Sequence, residues 1–279
     1  MSIIDRLAAL LPWRSRRPVV SVLRLAGVIG QVTPLRPGLT GSALQPAIER
    51  AFRGRGLVAV ALVVNSPGGS PVQSASIHQR VRLLAAEKKL PVLAFAEDVA
   101  ASGGYWLALA ADEIFVNESS IVGSIGVITA GFGLDQAIER LGIQRRLYTS
   151  GERKSMLDAF SPERPEDVAR LRRVQADIHE NFKALVRARR GAKLKGDEAD
   201  LFSGEFWLGE RALALGLVDG LGEVRATLRE RFGTRVRLRV VPTQRSGWRR
   251  RLGLLERGDP LGELIASLEA RQLWSRYGL

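Results

Sequence analysis

Apolar and polar positions follow two distinct patterns in the first third of the chain. Three runs of strand length, at 19–30, 56–64 and 91–97, are almost continuously apolar, as is typical of parallel strands buried on both faces. Between them, 42–52 and 72–89 carry apolar residues at helical spacing. The succession of strand, glycine-rich loop and helix occurs twice, which predicts an α/β fold with a parallel sheet.

The rest of the pattern is less regular and predicts shorter elements. We expect helices at 102–112, 134–141, 163–190 and 261–276, and strands at 113–117 ("EIFVN"), 124–129 ("SIGVIT") and 144–149 ("QRRLYT"). The stretch "LGERALALGLVDGLG" reads as helix, strand and turn. The chain then divides into an amphipathic segment at 1–18, a domain over 19–241, and a basic linker with a C-terminal helix over 242–279.

Composition narrows the class of protein. The chain has 279 residues, no cysteine and a formal net charge of +13. Disulfides, thiolate nucleophiles and thiolate metal ligands are therefore excluded. The positive charge fits an arginine-rich soluble surface, or attraction to anionic lipid or nucleic acid. The sequence contains no helix-turn-helix, zinc-finger or basic–aromatic RNA motif, so we expect no nucleic-acid partner.

No segment of the sequence reaches the roughly 18–20 apolar residues that span a bilayer. Residues 1–18 place Ile4, Leu7 and Leu11 at helical spacing, but their positive charges follow the apolar part, unlike those of a signal peptide. Two interpretations stay open for this segment: a short amphipathic helix on a membrane or partner subunit, and a frayed terminus.

Two glycine-containing loops follow buried strands, at "NSPGGS" (65–70) and "ASGG" (101–104). In open α/β sheets, sites form at the carboxyl ends of the strands. The backbone N–H groups of Gly68 and Gly69 could form an oxyanion hole, or the loop could be a plain turn. Ser102 could be a nucleophile at the start of a helix, or only the cap of that helix.

A nucleophilic serine needs a base. His78 and His179 both fall within helices and outside the glycine-rich loops, so we interpret them as structural or surface residues. Arginine cannot act as a base, because it keeps its proton. Among the six lysines, Lys154 is distinctive because Met156, Leu157 and Phe160 follow it and could desolvate its ammonium group. A solvated loop lysine is the alternative.

Four motifs in order resemble one family: "NSPGGS", "AASGGYWLALAAD", "SSIVGSIGVI" and "YTSGERKSMLDAFSP". They resemble the signal peptide peptidase A (protease IV) family, the serine–lysine peptidases of the S49 group. The similarity covers residues 19–240. It implies an α/β fold of the ClpP/crotonase-like type, a superhelix of stacked β-β-α units, over residues 19–241.

The resemblance also implies roles for individual residues. Ser102 corresponds to the nucleophile and Lys154 to the general base. The oxyanion donors correspond to Gly68 or Gly69 together with Gly103, and Ser124 to the residue that orients the lysine. The implied chemistry uses no metal and no cofactor.

The function implied by the resemblance is cleavage of short or unstructured apolar peptides, such as released signal peptides, in a homo-oligomer with active sites near subunit interfaces. Family members usually carry an N-terminal membrane anchor, for which this sequence offers only 1–18. We therefore expect a cytoplasmic enzyme with peripheral contact to the inner face of the membrane if 1–18 binds there. The alternatives are a crotonase-like acyl-CoA enzyme, an inactive peptidase-fold scaffold and, within the peptidases, a capsid maturation protease.

Overall fold

A mostly parallel sheet forms the centre of the computed structural model, which describes residues 17–30, 38–151, 153–243 and 270–279. Its strands are β1 (Val19–Ala26), β2 (Leu57–Ser66), β3 (Val92–Ala101), β4 (Glu113–Val116), β5 (Ile121–Gly123), β6 (Phe206–Leu208), β7 (Gly220–Leu221) and β8 (Arg237–Val241). The main order is β6-β5-β3-β2-β1-β8, and β4 pairs with both β3 and β7. The β5–β6 pair is antiparallel, and the other described pairs are parallel.

The helices surround this sheet. They are α1 (Gly41–Ala51), α2 (Pro71–Lys88), α3 (Gly103–Ala108), α4 (Asp135–Arg140), α5 (Pro165–Arg190), α6 (Glu198–Leu201), α7 (Gly209–Ala214) and α8 (Val224–Phe232), with a short 3₁₀ turn at Gly191–Lys193. Residues 270–275 form a further helical segment. Thr40 caps α1 and Ser70 caps α2, each accepting a backbone N–H through its side chain.

Both faces of the central strands are buried, which explains their continuous apolar runs. On one face, residues such as Leu23 and Leu62 join a core that includes α1, α2, α3 and α5. On the other face, Val22 and Ala61 pack in a second core with Leu228 of α8. The prediction of strands in the first third of the chain is thus confirmed.

Two predicted strands are wrong. The strand expected at 124–129 lies earlier, at Ile121–Gly123, because Ser124 adopts a φ of 52° and turns the backbone out of the sheet. Residues 144–149 form no strand, and all of them are exposed. Their large apolar side chains, Leu147 and Tyr148, are exposed, so no burial within the described chain stabilises a strand here.

Several elements were not predicted. β8 adds an edge strand beside β1, where the Arg239 guanidinium donates to the Ser21 hydroxyl at 2.6 Å. β6 and α8 were also missed. The helix expected at 102–112 ends at Ala108. Most of the segment 1–18, and all but residues 270–276 of the predicted helix 261–276, lie outside the described residues.

Residues 127–164 extend from the sheet as a segment that we call the arm. Its helix, α4, buries none of its residues. Large apolar side chains are exposed along the arm: Ile128, Phe132, Leu134, Leu141, Ile143, Leu147, Tyr148, Met156 and Phe160. Tyr148 is 91% exposed and Phe132 78% exposed. Such an apolar surface on one segment is typical of a protein–protein contact.

The described C-terminal residues pack behind the third strand. Trp274 and Tyr277 contact a small cluster with Val99, Ala101 and Ile121 on β3 and β5. The ring of Tyr277 also meets that of Phe206 edge-on, with centroids 5.3 Å apart. Trp274 and Tyr277 therefore cover the back of β3, the strand that directly precedes Ser102.

Candidate active site

Ser102 lies between β3 and α3 in a strained backbone conformation. Its φ of 52° and ψ of −120° fall in a region that L-residues seldom occupy, which costs about 1–3 kcal/mol. Its N–H donates to the Gly123 carbonyl at 2.8 Å, and its side chain makes no capping hydrogen bond. The structure therefore gives no support to capping of the helix by the Ser102 side chain, and its hydroxyl makes no hydrogen bond with the described part of the chain.

The two glycine-containing loops meet at this serine. A methyl group placed on Gly68 would lie 2.8 Å from Ser102 Cβ and 3.1 Å from Ser102 Oγ. One placed on Gly103 would lie 3.3 Å from the Gly69 nitrogen. Gly68 also has a φ of 108°, which side chains disfavour. Glycine is required at these positions because the two chain segments are in contact.

Backbone N–H groups at this junction differ in availability. The Gly68 N–H donates to the Ser66 hydroxyl at 3.2 Å. Within the described part of the chain, the Gly69 and Gly103 N–H groups have no acceptor. Of the residues that the sequence left as alternatives, Gly69 rather than Gly68 is thus free to bind a developing oxyanion together with Gly103.

Ser124 lies one residue beyond the carbonyl that supports Ser102. It directly follows β5, is 4% exposed and has a φ of 52°. Its N–H donates to the Glu205 carbonyl at 2.7 Å, which ties it to the segment before β6. The structure therefore brings together Ser102, Gly68, Gly69, Gly103 and, through Gly123, Ser124.

Lys154 is not part of this group within one copy of the chain. It lies in a turn of the arm, where its N–H donates to the Gly151 carbonyl at 3.1 Å and its side chain is exposed. No hydrogen bond between Lys154 and Ser102 occurs among the described residues. Met156 and Phe160 are themselves 37% and 39% exposed, so the expected desolvation of the ammonium group is wrong for a single copy.

Among the described residues, neither histidine makes a hydrogen bond to the Ser102 hydroxyl. His179 of α5 bonds through Nε2 to the Ile125 carbonyl at 2.9 Å. His78 of α2 is 8% exposed, so it is a buried structural residue rather than a surface one. Burial, with nearby Arg189 as the next cause, lowers the pKa of His78 to about 4.

Neutral His78 makes stability depend on pH. In the unfolded chain, where the pKa of His78 is about 6.5, the imidazole takes up a proton before the folded form does. The stability is therefore full above pH 6.5 and falls as pH drops towards 4. When the pH is lowered from about 7.5 to 4.5, the free energy of unfolding should fall in both proteins. We expect this fall to be about 2–3 kcal/mol smaller in His78→Leu than in the wild type.

Urea unfolding at the two pH values measures this difference. Gln79→Leu is the matched control, because Gln79 lines the same apolar cavity of about 480 Å³ but does not titrate. Carboxylates that titrate in this range contribute equally to all three proteins. Equal pH sensitivity in wild type and His78→Leu would contradict the assignment of a buried neutral imidazole.

Three contacts around the site were not anticipated from the sequence. Ser66 occupies the Gly68 N–H, and the Ser74 hydroxyl lies beside Gly103. Both are close in sequence to the glycine motif, so their hydroxyls could have been considered with it. The Glu205 carbonyl comes from a distant segment, and no local pattern indicates that it supports Ser124.

The described residues hold no cluster of three or more His, Cys, Asp or Glu side chains that could bind a metal ion. In the same part of the chain, no helix has both the length and the apolar character needed to cross a membrane.

Comparison with known families places the protein among the peptidases. The family model "Peptidase family S49" matches residues 85–232, more than half of the chain. The chain belongs to peptidase family S49. The resemblance carried by the four motifs is thereby confirmed.

Relatives extend this similarity over most of the chain. A Brucella abortus protein named Na(+)/H(+) antiporter NhaA is 45% identical over 287 aligned residues, which cover 98% of this chain and 39% of that protein. The chloroplastic serine protease SPPA of Arabidopsis thaliana is 30% identical over 74% of this chain and 31% of its own length. Protease 4 of Haemophilus influenzae is 30% identical over 73% of this chain and 32% of its own. The chain thus spans between 31% and 39% of the length of these relatives.

Solved structures share the fold. Two variants of the 1510-N membrane-bound stomatin-specific protease superpose with TM-scores of 0.50 and 0.51 at 16% identity. They cover 81% and 90% of this chain and 99% of their own, and the second is bound to a substrate peptide. The predicted α/β fold of the ClpP/crotonase-like type is confirmed.

Proposed function

We propose that this peptidase is a serine endopeptidase in which Ser102 is the nucleophile and Lys154 the general base. The observation that carries the proposal is the position of Ser102. Its backbone is strained, its hydroxyl makes no capping hydrogen bond to the helix, and it lies beside two backbone N–H groups that have no acceptor among the described residues. Strain is kept in folded proteins mainly at functional sites, and paired N–H donors suit an oxyanion. Family membership favours this chemistry over an acyl-CoA reaction.

The reaction follows from these groups. The neutral Lys154 amine accepts the Ser102 proton as Oγ bonds to the scissile carbonyl carbon. The carbonyl oxygen becomes an anion, which the N–H groups of Gly69 and Gly103 stabilise by about 3–4 kcal/mol. The C–N bond then breaks and the leaving amine takes the proton from Lys154. Water next attacks the acyl ester and gives a proton to Lys154. As the bond between the acyl carbon and Oγ breaks, Lys154 returns this proton to Oγ, which releases the acid and regenerates the free serine and the neutral amine.

The base would come from a second copy of the chain. Lys154 is exposed on the arm, and the arm carries a row of exposed apolar side chains. When another copy covers this surface, Lys154 can be brought to that copy's Ser102 and be desolvated there. Ser124, buried beside the nucleophile, would then orient the lysine. We therefore propose a homo-oligomer with active sites at the interfaces between copies.

Substrates would be short or unstructured apolar peptides, including released signal peptides. The chain has no phosphate-binding loop motif for nucleotide-driven unfolding, so folded proteins are poor substrates. Serine-directed labelling with a fluorophosphonate, followed by peptide mapping, tests the site: the adduct is expected on Ser102. A modified residue elsewhere, or no adduct, would contradict the proposal.

We also propose peripheral contact with anionic membrane surfaces. The net charge of +13 supports this. The Brucella abortus relative also supports it, because there a similar chain forms part of a longer protein that is named as an antiporter. The chain should float with phosphatidylglycerol vesicles at low salt, be released by high salt, and not float with phosphatidylcholine vesicles. Equal flotation with both lipids, or with neither, would contradict the proposal. A variant lacking residues 1–18 tests that segment.

A further inference from the structure

The chain segment after β5 runs directly beside the nucleophile. The Gly123 carbonyl accepts the Ser102 N–H at 2.8 Å, and the next residue, Ser124, is fixed by its own N–H to the Glu205 carbonyl at 2.7 Å. Ser124 has a φ of 52°, so the backbone leaves the sheet at this point. Beyond it, the strand ladder no longer holds Ile125 and Gly126.

Among the described residues, a side chain of α5 holds this backbone where the strand ladder ends. His179 of α5 bonds through Nε2 to the Ile125 carbonyl at 2.9 Å. A carbonyl oxygen can only accept, so Nε2 carries the hydrogen. The Ile125 side chain is fully buried, which places this backbone in the protein interior. A buried carbonyl that loses its donor is unfavourable, so the segment would move to find another partner.

We infer that His179 is a positioning residue for the peptidase reaction. It holds the Ser124–Gly126 backbone against α5, and through it the Ser124 hydroxyl and the Gly123 carbonyl that supports Ser102. This inference rests on the proposed function. His179 acts by donating a hydrogen bond, without contact to the substrate, which sets it apart from a catalytic base.

A pair of amide variants separates this role from general packing. Glutamine places its amide nitrogen at about the reach of histidine Nε2, whereas asparagine is one methylene shorter. We expect His179→Asn and His179→Ala to lower kcat for an apolar fluorogenic peptide about tenfold, and His179→Gln to restore most of it. Asp177→Ala is the matched control. Asp177 lies two residues earlier on α5, is exposed to solvent, and should leave kcat unchanged.

The outcomes separate the two proposals. Wild-type turnover that depends on Ser102, with His179→Gln active and His179→Asn impaired, supports both. Ser102-dependent turnover with equal activity in His179→Gln and His179→Asn overturns the positioning role alone. A wild type without Ser102-dependent turnover overturns both. Circular dichroism and size-exclusion chromatography of each variant confirm that the folded, assembled protein is compared.

Discussion

Ser102→Ala is expected to lower peptide turnover by about four orders of magnitude or more, to the background of the assay. In the proposed mechanism the substitution removes the oxygen that forms the acyl intermediate, and we expect neither nearby serine, Ser66 or Ser74, to replace it. The Ser66 hydroxyl accepts a hydrogen bond from the Gly68 N–H, and the Ser74 hydroxyl donates to the Ser70 carbonyl. Turnover of an apolar fluorogenic peptide should therefore fall to background. Fluorophosphonate labelling, measured on the same samples, should fall to background as well.

The control for this loss is a serine outside the site. Ser119 lies in an exposed turn, so Ser119→Ala should keep full turnover and labelling. Ser102→Gly provides a second inactive variant, because glycine accepts the positive φ of this position without strain. If Ser102→Ala kept more than a small fraction of wild-type turnover in a folded protein, Ser102 would not be the nucleophile.

Mixing two inactive variants is expected to restore activity. Ser102→Ala and Lys154→Ala should each be inactive alone, since each lacks one member of the pair. When both chains are co-expressed with different tags and purified together, some interfaces join an intact Ser102 to an intact Lys154. Random assembly predicts about a quarter of wild-type turnover in such mixed oligomers. The exposure of Lys154 in the single chain is the structural reason for this expectation.

The double variant, lacking both Ser102 and Lys154, serves as the matched partner. Mixed with either single variant, it can form no complete pair and should restore nothing. Activity in the mixture of the two single variants therefore reports pairing between copies rather than altered stability. If that mixture stayed inactive while wild type was active and oligomeric, the base would be supplied within one chain.

The elements that could be predicted are those whose own sequence pattern shows how they are buried. β2 and β3 are apolar along their length because both faces are covered, and this pattern does not depend on the identity of the covering elements. β8 escaped prediction because "RLRVV" alternates charge with apolar residues, and its burial depends on the distant strand β1. In the arm, the helix predicted at 134–141 is present as α4, but the strand predicted at 144–149 is wrong, because its apolar residues are exposed in a single chain.

The candidate site divides in the same way. The meeting of the two glycine-containing loops was predictable, because the carboxyl ends of adjacent parallel strands lie at one edge of the sheet. The choice between Gly68 and Gly69 was not, since it depends on the Ser66 hydroxyl occupying one N–H. The support of Ile125 by His179 joins residues far apart in sequence and left no local pattern.

The cover behind β3 has a consequence for how the protein is made. Trp274 and Tyr277, which pack behind Val99 and Ala101, leave the ribosome long after Ser102 has been translated. Until then, Val99 and Ala101 lack this cover. A nascent chain, or one cut short by a premature stop codon, therefore presents an apolar patch that chaperones and quality-control proteases can bind.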